Sequence, residues 1–208
     1  MILDLHTHSI KSDDGRAKVE NYCQWIRAKK IPIDGFVLTE HRQFDLSSDY
    51  SPLARKYDLL ILKGSEVETE YGHVLIFGVS ETLTERLDFT RVDLALKDVL
   101  ELSLACDAIA VPCHPGRPKV GMFAHTDRLG LPEGVEIVET RNGGSRDDED
   151  QIALRNAALH RYKGIGGSDS HIVSHIGRCA TRFTRTISSI ETLVEELKVG
   201  SFEAVSFK

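Results

Sequence analysis

The sequence predicts an α/β fold in which short, mostly parallel strands curl into a small or irregular barrel. Three observations lead there. Apolar runs of four or five residues alternate with segments of helical periodicity, the pattern of strands joined by crossover helices. Almost every apolar run ends in His, Asp or Glu. In a barrel of parallel strands those ends gather at one face, and their loops build the site. The length of 208 residues is cramped for a full eight-fold barrel of ~250 residues but ample for a substantial core. Residues 1–208 therefore read as a single domain.

Met1 to Leu5 is the first strand, and it runs into Asp4-Leu5-His6-Thr7-His8-Ser9. In an extended chain, residues i and i+2 share a face, so His6 and His8 offer two imidazoles to one point. Ser9 to Gly15 is turn-rich. Val19 to Lys29 carries apolar residues at Val19, Tyr22, Cys23 and Ile26, helical spacing that ends before Pro32. Phe36-Val37-Leu38 leads into Thr39-Glu40-His41, and Leu59 to Leu62 leads into Lys63-Gly64-Ser65-Glu66. Glu68 to Gly72 is short enough for a hairpin turn, after which His73 opens Val74 to Phe77.

Leu94 to Leu104 has helical periodicity, and Ala108 to Val111 is a strand ending in Pro112-Cys113-His114-Pro115-Gly116. Gly116 to Leu131 is irregular. Val135 to Val138 is a strand ending in Glu139-Thr140-Arg141-Asn142-Gly143-Gly144. A helix from about Asp148 to Tyr162 opens on acids that suit its N-terminal dipole. Ile165-Gly166-Gly167 ends in Ser168-Asp169-Ser170-His171. Thr181 to Ile187 alternates like an edge strand, Ile190 to Val199 is a helix stopped by Gly200, and Phe202 to Phe207 is the last strand.

Composition narrows the functional classes. Hydrophobic residues make up 41% and charged residues 28%, as in a globular protein. A net charge of -6 argues against nucleic-acid binding through a broad basic surface, although metal ions can supply positive charge locally. Four cysteines (Cys23, Cys106, Cys113, Cys179) have no CxxC spacing and suit a reducing compartment. No signal peptide and no run of ~20 apolar residues is visible. The expectation is a cytoplasmic protein with no membrane partner and no leader, its first strand already carrying the site.

The residues that carry chemistry are His6, His8, Asp13, His41, Glu66, His73, His114, Asp169 and His171. Neutral imidazole and carboxylate suit Zn, Mn and Fe. Nine ligands exceed what one ion takes, since a catalytic ion holds three or four protein ligands and keeps a position open. Two to three divalent ions are expected, clustered and sharing a carboxylate, an arrangement suited to clamping a phosphoryl group. Asp14 competes with Asp13, and spacing after Ser12 favours Asp13. Glu68 is the rival of Glu66 for the bridging position. Cys113 reads as a buried small residue. Glu139 and Asn142 read as residues that shape the pocket.

The ordered series His6-Thr7-His8, Ser12-Asp13, Thr39-Glu40-His41, Gly64-Ser65-Glu66, Gly72-His73, His114-Pro115 and Gly167-Ser168-Asp169-Ser170-His171 resembles the PHP family, the polymerase-and-histidinol-phosphatase metallophosphoesterases. The resemblance spans residue 1 to about 180. It implies a distorted (β/α)7 TIM-like barrel with a two- or three-metal site. It assigns one ion to His6, His8, Glu66 and Asp169, a second to Glu66, His73 and His114, and a third to Asp13, His41 and His171. Some members have His where this chain has Asp13.

The reaction implied is metal-assisted hydrolysis of a phosphate ester, with Glu66 and Asp169 as the candidate catalytic carboxylates. Arg117, Arg141, Arg146 and Arg178 are the candidates for phosphate contact. A metal-bound water, Asp169 or His175 is a candidate source of the leaving-group proton. Substrates on this reading are a small phosphomonoester, such as histidinol phosphate, or a nucleotide or oligonucleotide end; the acidic charge tilts towards the former. Two rival readings are an amidohydrolase-like C–N or C–O hydrolase, for which Lys63 is the only strand-end lysine, and a non-catalytic binding subunit, which would have lost several ligands.

Overall fold

β1 (Ile2–Thr7) is the strand from which the sheet spreads in both directions. The computed structural model describes every residue, 1–208. After β1 come α1 (Val19–Lys29), β2 (Gly35–His41), α2 (Ser51–Tyr57), β3 (Leu60–Thr69), β4 (Gly72–Phe77), α3 (Glu81–Arg86), α4 (Leu96–Ala105) and β5 (Ile109–Pro112). They are followed by α5 (Thr126–Leu129), β6 (Ile137–Asn142), α6 (Glu149–His160), β7 (Lys163–Gly167), β8 (Cys179–Phe183), α7 (Ile190–Val199) and β9 (Phe202–Ser206).

The main sheet has seven strands in the order β5-β4-β3-β2-β1-β8-β9, and β6 and β7 pair separately. β1–β2, β2–β3 and β6–β7 are parallel; β1–β8, β3–β4, β4–β5 and β8–β9 are antiparallel. The mostly parallel arrangement expected from the sequence is thus a mixed sheet, curled into a half-barrel. Its hydrogen bonding does not close into the expected (β/α)7 barrel, because β5 and β9 remain edges of the main sheet. The strands whose carboxyl ends bear candidate ligands, β1, β2, β3, β5 and β7, nevertheless share a direction, and β4 with His73 is reversed. β5 is antiparallel to β4, itself antiparallel to β3, and Thr7 bridges Ser170 in parallel sense just beyond β7.

β8 differs from its expected place at a sheet edge. It lies between β1 and β9, and Thr181 is buried with its hydroxyl donating to the Gly166 carbonyl at 2.9 Å. Alternation with one exposed residue, Arg182, looked like an edge strand because its partners come from both chain termini. α2 escaped the sequence reading for a plain reason: it buries none of its residues, so it leaves no hydrophobic period to read.

Three apolar clusters hold the layers. One joins Leu3, Leu5, Val37, Leu75, Phe77 and Val111 of the sheet to Leu193 and Leu197 of α7. A second packs Tyr22, Cys23 and Ile26 of α1 on Phe36 and Leu38 of β2, as the i, i+3, i+4, i+7 spacing requires. A third sets Leu83, Leu96 and Val99 of α3 and α4 against Val67, Val74 and Ile76. Each fully buried large side chain contributes about 1.5–3 kcal/mol through the area it removes from water. α7 is opened by a capping box between Ser189 and Thr192 and closed by Gly200 at φ 81°.

Candidate metal centre

The carboxyl ends of β1, β2, β3, β5 and β7 converge. β1 delivers His6 and leads to His8, β2 ends on His41, and β3 carries Glu66 opposite His41 in the parallel register. His114 follows β5, and Asp169 and His171 follow β7. His73 alone lies at the start of its strand. β4 runs antiparallel to β3, pairing His73 with Glu68, so the beginning of β4 lies where the other strands end. Gly72 makes this possible at φ 102°, its α-carbon pressed on the Val120 carbonyl where a β-carbon would collide.

Glu66 is the hub of the ligand set. Its Oε2 lies 3.0 Å from His6 Nε2, 3.1 Å from His8 Nε2 and 3.3 Å from His41 Nδ1. Its Oε1 lies 2.7 Å from His73 Nδ1 and 3.3 Å from His114 Nε2. Asp169 Oδ1 is 3.4 Å from both His6 Nε2 and His8 Nε2. On the outer side, His41 Nε2 stands 3.4 Å from His171 Nε2, and both rings stack on His8 with centroids 4.2 and 4.3 Å away. The two oxygens of one carboxylate thus face two different groups of imidazoles.

A family model described as PHP-associated matches residues 149–202. No curated relative matches the chain in sequence. The fold is similar to that of the lesion-specific endonuclease PfuEndoQ from Pyrococcus furiosus, at 18% identity and a TM-score of 0.68, over 98% of this chain and 57% of that one. It is similar to a protein from Bifidobacterium adolescentis described provisionally as a metal-dependent phosphoesterase, at 16% identity and a TM-score of 0.62, over 95% and 96% of the two chains. It is also similar to an amidohydrolase from Chromobacterium violaceum, at 16% identity and a TM-score of 0.65, over 98% and 97%. At these identities the likeness is one of fold. The family match over residues 149–202 supports a PHP-family protein, and the solved structures share its fold. This chain spans little more than half the length of the endonuclease.

The donor set fits the divalent ions that the PHP family implies. Three groups place ligand atoms within 4.8 Å of one another: His6, Glu66, Cys113 and His114; His8, His41 and His171; and His6, His8 and Asp169. His8 Nε2 and His114 Nδ1 are buried without a hydrogen-bond partner, although Glu66 Oε2 and Asp169 Oδ1 lie 3.1 and 3.4 Å from His8 Nε2. Buried polar atoms are rarely left so. Burial works against charging His6 and His8. Glu139, Asp169 and Glu66 still hold His6 well above the usual imidazole range, and Asp169 and Glu66 push His8 up to about 9. Burial opposes ionising Glu66 and Asp169 too, and the facing histidines keep both well below the carboxylate range. Burial lowers His41 and His114.

Two candidate ligands sit in left-handed backbone, His114 at φ 31° and Asp169 at φ 51°, a conformation that costs of order 1–3 kcal/mol for such residues. Each is pinned. The His114 amide donates to Glu139 Oε2 at 2.8 Å, and the Asp169 amide to the His6 carbonyl at 2.7 Å. Gly167 lets β7 approach β1 this closely, since a β-carbon there would run into His6.

The structure separates Asp13 from Asp14. Asp13 is 68% exposed and pairs with Arg42 at 2.6 Å. Asp14, itself 58% exposed, points at the histidines, its oxygens 3.5 Å from His41 Nε2 and 3.1 Å from His171 Nε2. Glu40 fixes the loop that carries both residues. Glu40 accepts from the Ser9 amide and from the hydroxyls of Ser9 and Ser12, which puts the next turn, and Asp14 with it, over the histidines. Glu68, the rival for the bridging position, is held by Arg42 at 2.9 Å.

Of the four candidate arginines, Arg117 and Arg146 line a cleft of about 510 Å³ beside Asp14, Asp169, His171 and His175; Arg141 and Arg178 do not. β6 runs on to Asn142, which makes Arg141 a strand residue. Arg16 lines the cleft as well and left no mark in the sequence beyond its charge. Asp4 was also missed. Its carboxylate accepts from the amides of Ser168 at 2.7 Å and Gly177 at 2.8 Å, tying β1 to the Asp169 turn, and burial pushes it up to about 6.

Proposed function

We propose that the chain is a metal-dependent phosphoesterase that hydrolyses a small phosphomonoester. The observation that carries this reading is Glu66, whose two oxygens face separate imidazole groups, in a cluster whose Asp169 and His171 line a cleft that also holds three arginines. His6, His8, Glu66 and Asp169 would hold one ion, and Glu66, His73 and His114 a second. His41, His171 and Asp14 would hold a third, Asp14 replacing Asp13. Divalent ions so placed, Zn, Mn or Fe, would generate the nucleophile at neutral pH and offset charge on the phosphoryl oxygens.

The protein's own groups supply orientation. Arg117 Nη2 donates to Asn142 Oδ1 at 3.0 Å and to Asp169 Oδ2 at 2.9 Å, which fixes its guanidinium on the cleft wall. Arg146 and Arg16 add positive charge for an anionic substrate. Asp169, held ionised by His6 and His8, is a poor proton donor. His175 lines the cleft outside the ligand groups and is the other side-chain candidate to pass a proton to the leaving oxygen, although burial and the Arg178 charge lower its hold on that proton. The cleft has a single apolar lining residue, Ile172, and no Phe, Tyr or Trp. Bases of single-stranded nucleic acid are gripped by stacking on aromatic side chains, so a small polar ester fits better than an oligonucleotide end.

The amidohydrolase-like alternative loses its lysine. Lys63 Nζ donates to the carbonyls of Asp45 and Ser48 at 2.7 and 3.0 Å, away from the histidines. The complete donor set opposes a non-catalytic subunit. We also propose that residues 1–208 act as one unit and reside in the cytoplasm, a setting that suits four free cysteines. No helix is long and apolar enough to cross a membrane. The test is elemental analysis and phosphate release on the purified protein. Two to three divalent ions per chain and Mn- or Zn-stimulated hydrolysis of p-nitrophenyl phosphate are expected; a metal-free native protein that releases no phosphate overturns the reading.

A further inference from the structure

Glu139 lies at the far side of His6 from the ligand cluster, and both of its oxygens are fully engaged. Oε1 is 3.1 Å from His6 Nδ1. Oε2 accepts from the His114 amide at 2.8 Å and from Asn142 Nδ2 at 2.8 Å. The side chains of His6 and Glu139 are 0% exposed, so no water competes for these contacts. Asn142 continues the chain, its Oδ1 accepting from Arg117 Nη2, which in turn donates to Asp169 Oδ2. A hydrogen-bonded path therefore leaves His6 on one side of the centre and returns at Asp169 on the other.

We propose that Glu139 is the positioning residue of the centre: it holds the Nδ1 proton of His6, presenting Nε2 as the ligand atom, and sets the strained His114 backbone. The inference rests on the metal-centre reading and extends it to a residue outside the donor set. A histidine ligand is aimed by what its other nitrogen contacts. Here that contact is a carboxylate whose second oxygen also anchors His114, assigned to a different ion. One side chain thus orients ligands on both sides of Glu66.

Substitution by glutamine isolates this role, because the amide must turn one way or the other. With its carbonyl oxygen on His6, its NH₂ meets two donors, the His114 amide and Asn142 Nδ2. With its oxygen on those two donors, its NH₂ faces His6 Nδ1 and requires a lone pair there. The second orientation keeps all three hydrogen bonds, and it places the imidazole proton on Nε2, the atom that must ligate. E139Q should therefore fold and bind metal poorly.

The experiment is a chelator-competition titration of the wild-type chain and E139Q with Zn²⁺. E139Q is expected to bind its tightest ion about 10–100-fold more weakly, the scale for outer-sphere partners of ligating histidines, while the metal-free variant still melts cooperatively. Equal affinity in the two proteins overturns the proposal. Absence of zinc binding by the wild-type chain instead overturns the metal-centre reading. Nitrogen NMR of the zinc-loaded wild-type chain gives an answer even if E139Q fails to fold. The His6 ring, identified by loss of its signals in H6Q, should carry its proton on Nδ1 and show the zinc shift on Nε2; the reverse pattern refutes the role.

Discussion

At the residue scale, Glu66 matters because neither of its oxygens can be served by the other's partners. His6, His8 and His41 take Oε2, while His73 and His114 take Oε1. Asp14 completes the outer group, and its neighbour Asp13 is tied to Arg42. A paired comparison follows. D14N should weaken the loosest of the bound ions by at least about 10-fold, a change of about 1.4 kcal/mol, measured by metal titration. D13N should change it less than D14N, since it removes only an exposed ion pair worth about 0–1 kcal/mol; the opposite ranking would return the ligand role to Asp13. Most of the centre was legible as residues because His, Asp and Glu ended apolar runs. The choice between Asp13 and Asp14 was not, since it depends on Glu40 gripping Ser9 and Ser12 from another strand. Glu139 carried the same strand-end mark as the ligands. Its role was hidden because only the fold reveals that it meets His6 from behind.

At the element scale, the β3–β4 hairpin is where the regular pattern is broken and function is gained. Reversal at Glu70 and Tyr71 sends β4 back along β3, bringing His73 to the same end as Glu66. Gly72 is the residue that cannot change. G72A meets both a left-handed φ and the Val120 carbonyl, and should cost about 2–4 kcal/mol from backbone strain plus overpacking. G130A is the control. Gly130 has φ 79° and ψ 178° with open space around its α-carbon, so its cost of about 1–3 kcal/mol is backbone strain alone and should fall below that of G72A. Urea midpoints of the two variants test this, and equal losses would mean that the close approach to Val120 contributes nothing. The hairpin itself was readable, because Glu68 to Gly72 is too short for anything else. The direction of β8 was not, since its pairing partners β1 and β9 come from the two ends of the chain.

At the scale of the whole molecule, folding gathers six imidazoles and the carboxylates of Glu66, Asp169 and Glu139 from β1, β2, β3, β4, β5, β6 and β7. No local segment can form this centre, so ions that fill it would favour the native state over the unfolded chain and stabilise it by mass action. Each site filled at about 100 times its Kd adds about 2.7 kcal/mol. For a chain of 208 residues, about 1 kcal/mol moves the melting temperature by roughly 2–4 °C. Two to three ions should therefore raise it by roughly 10–30 °C over the chelated protein. Calorimetry with Zn²⁺ or Mn²⁺ against EDTA measures the difference. The shift should also grow with the logarithm of free metal concentration, because binding to the folded state alone has that form. A melting temperature unmoved by EDTA would mean that the paired nitrogens of His41 and His171, 3.4 Å apart, are reconciled by protons and not by a cation.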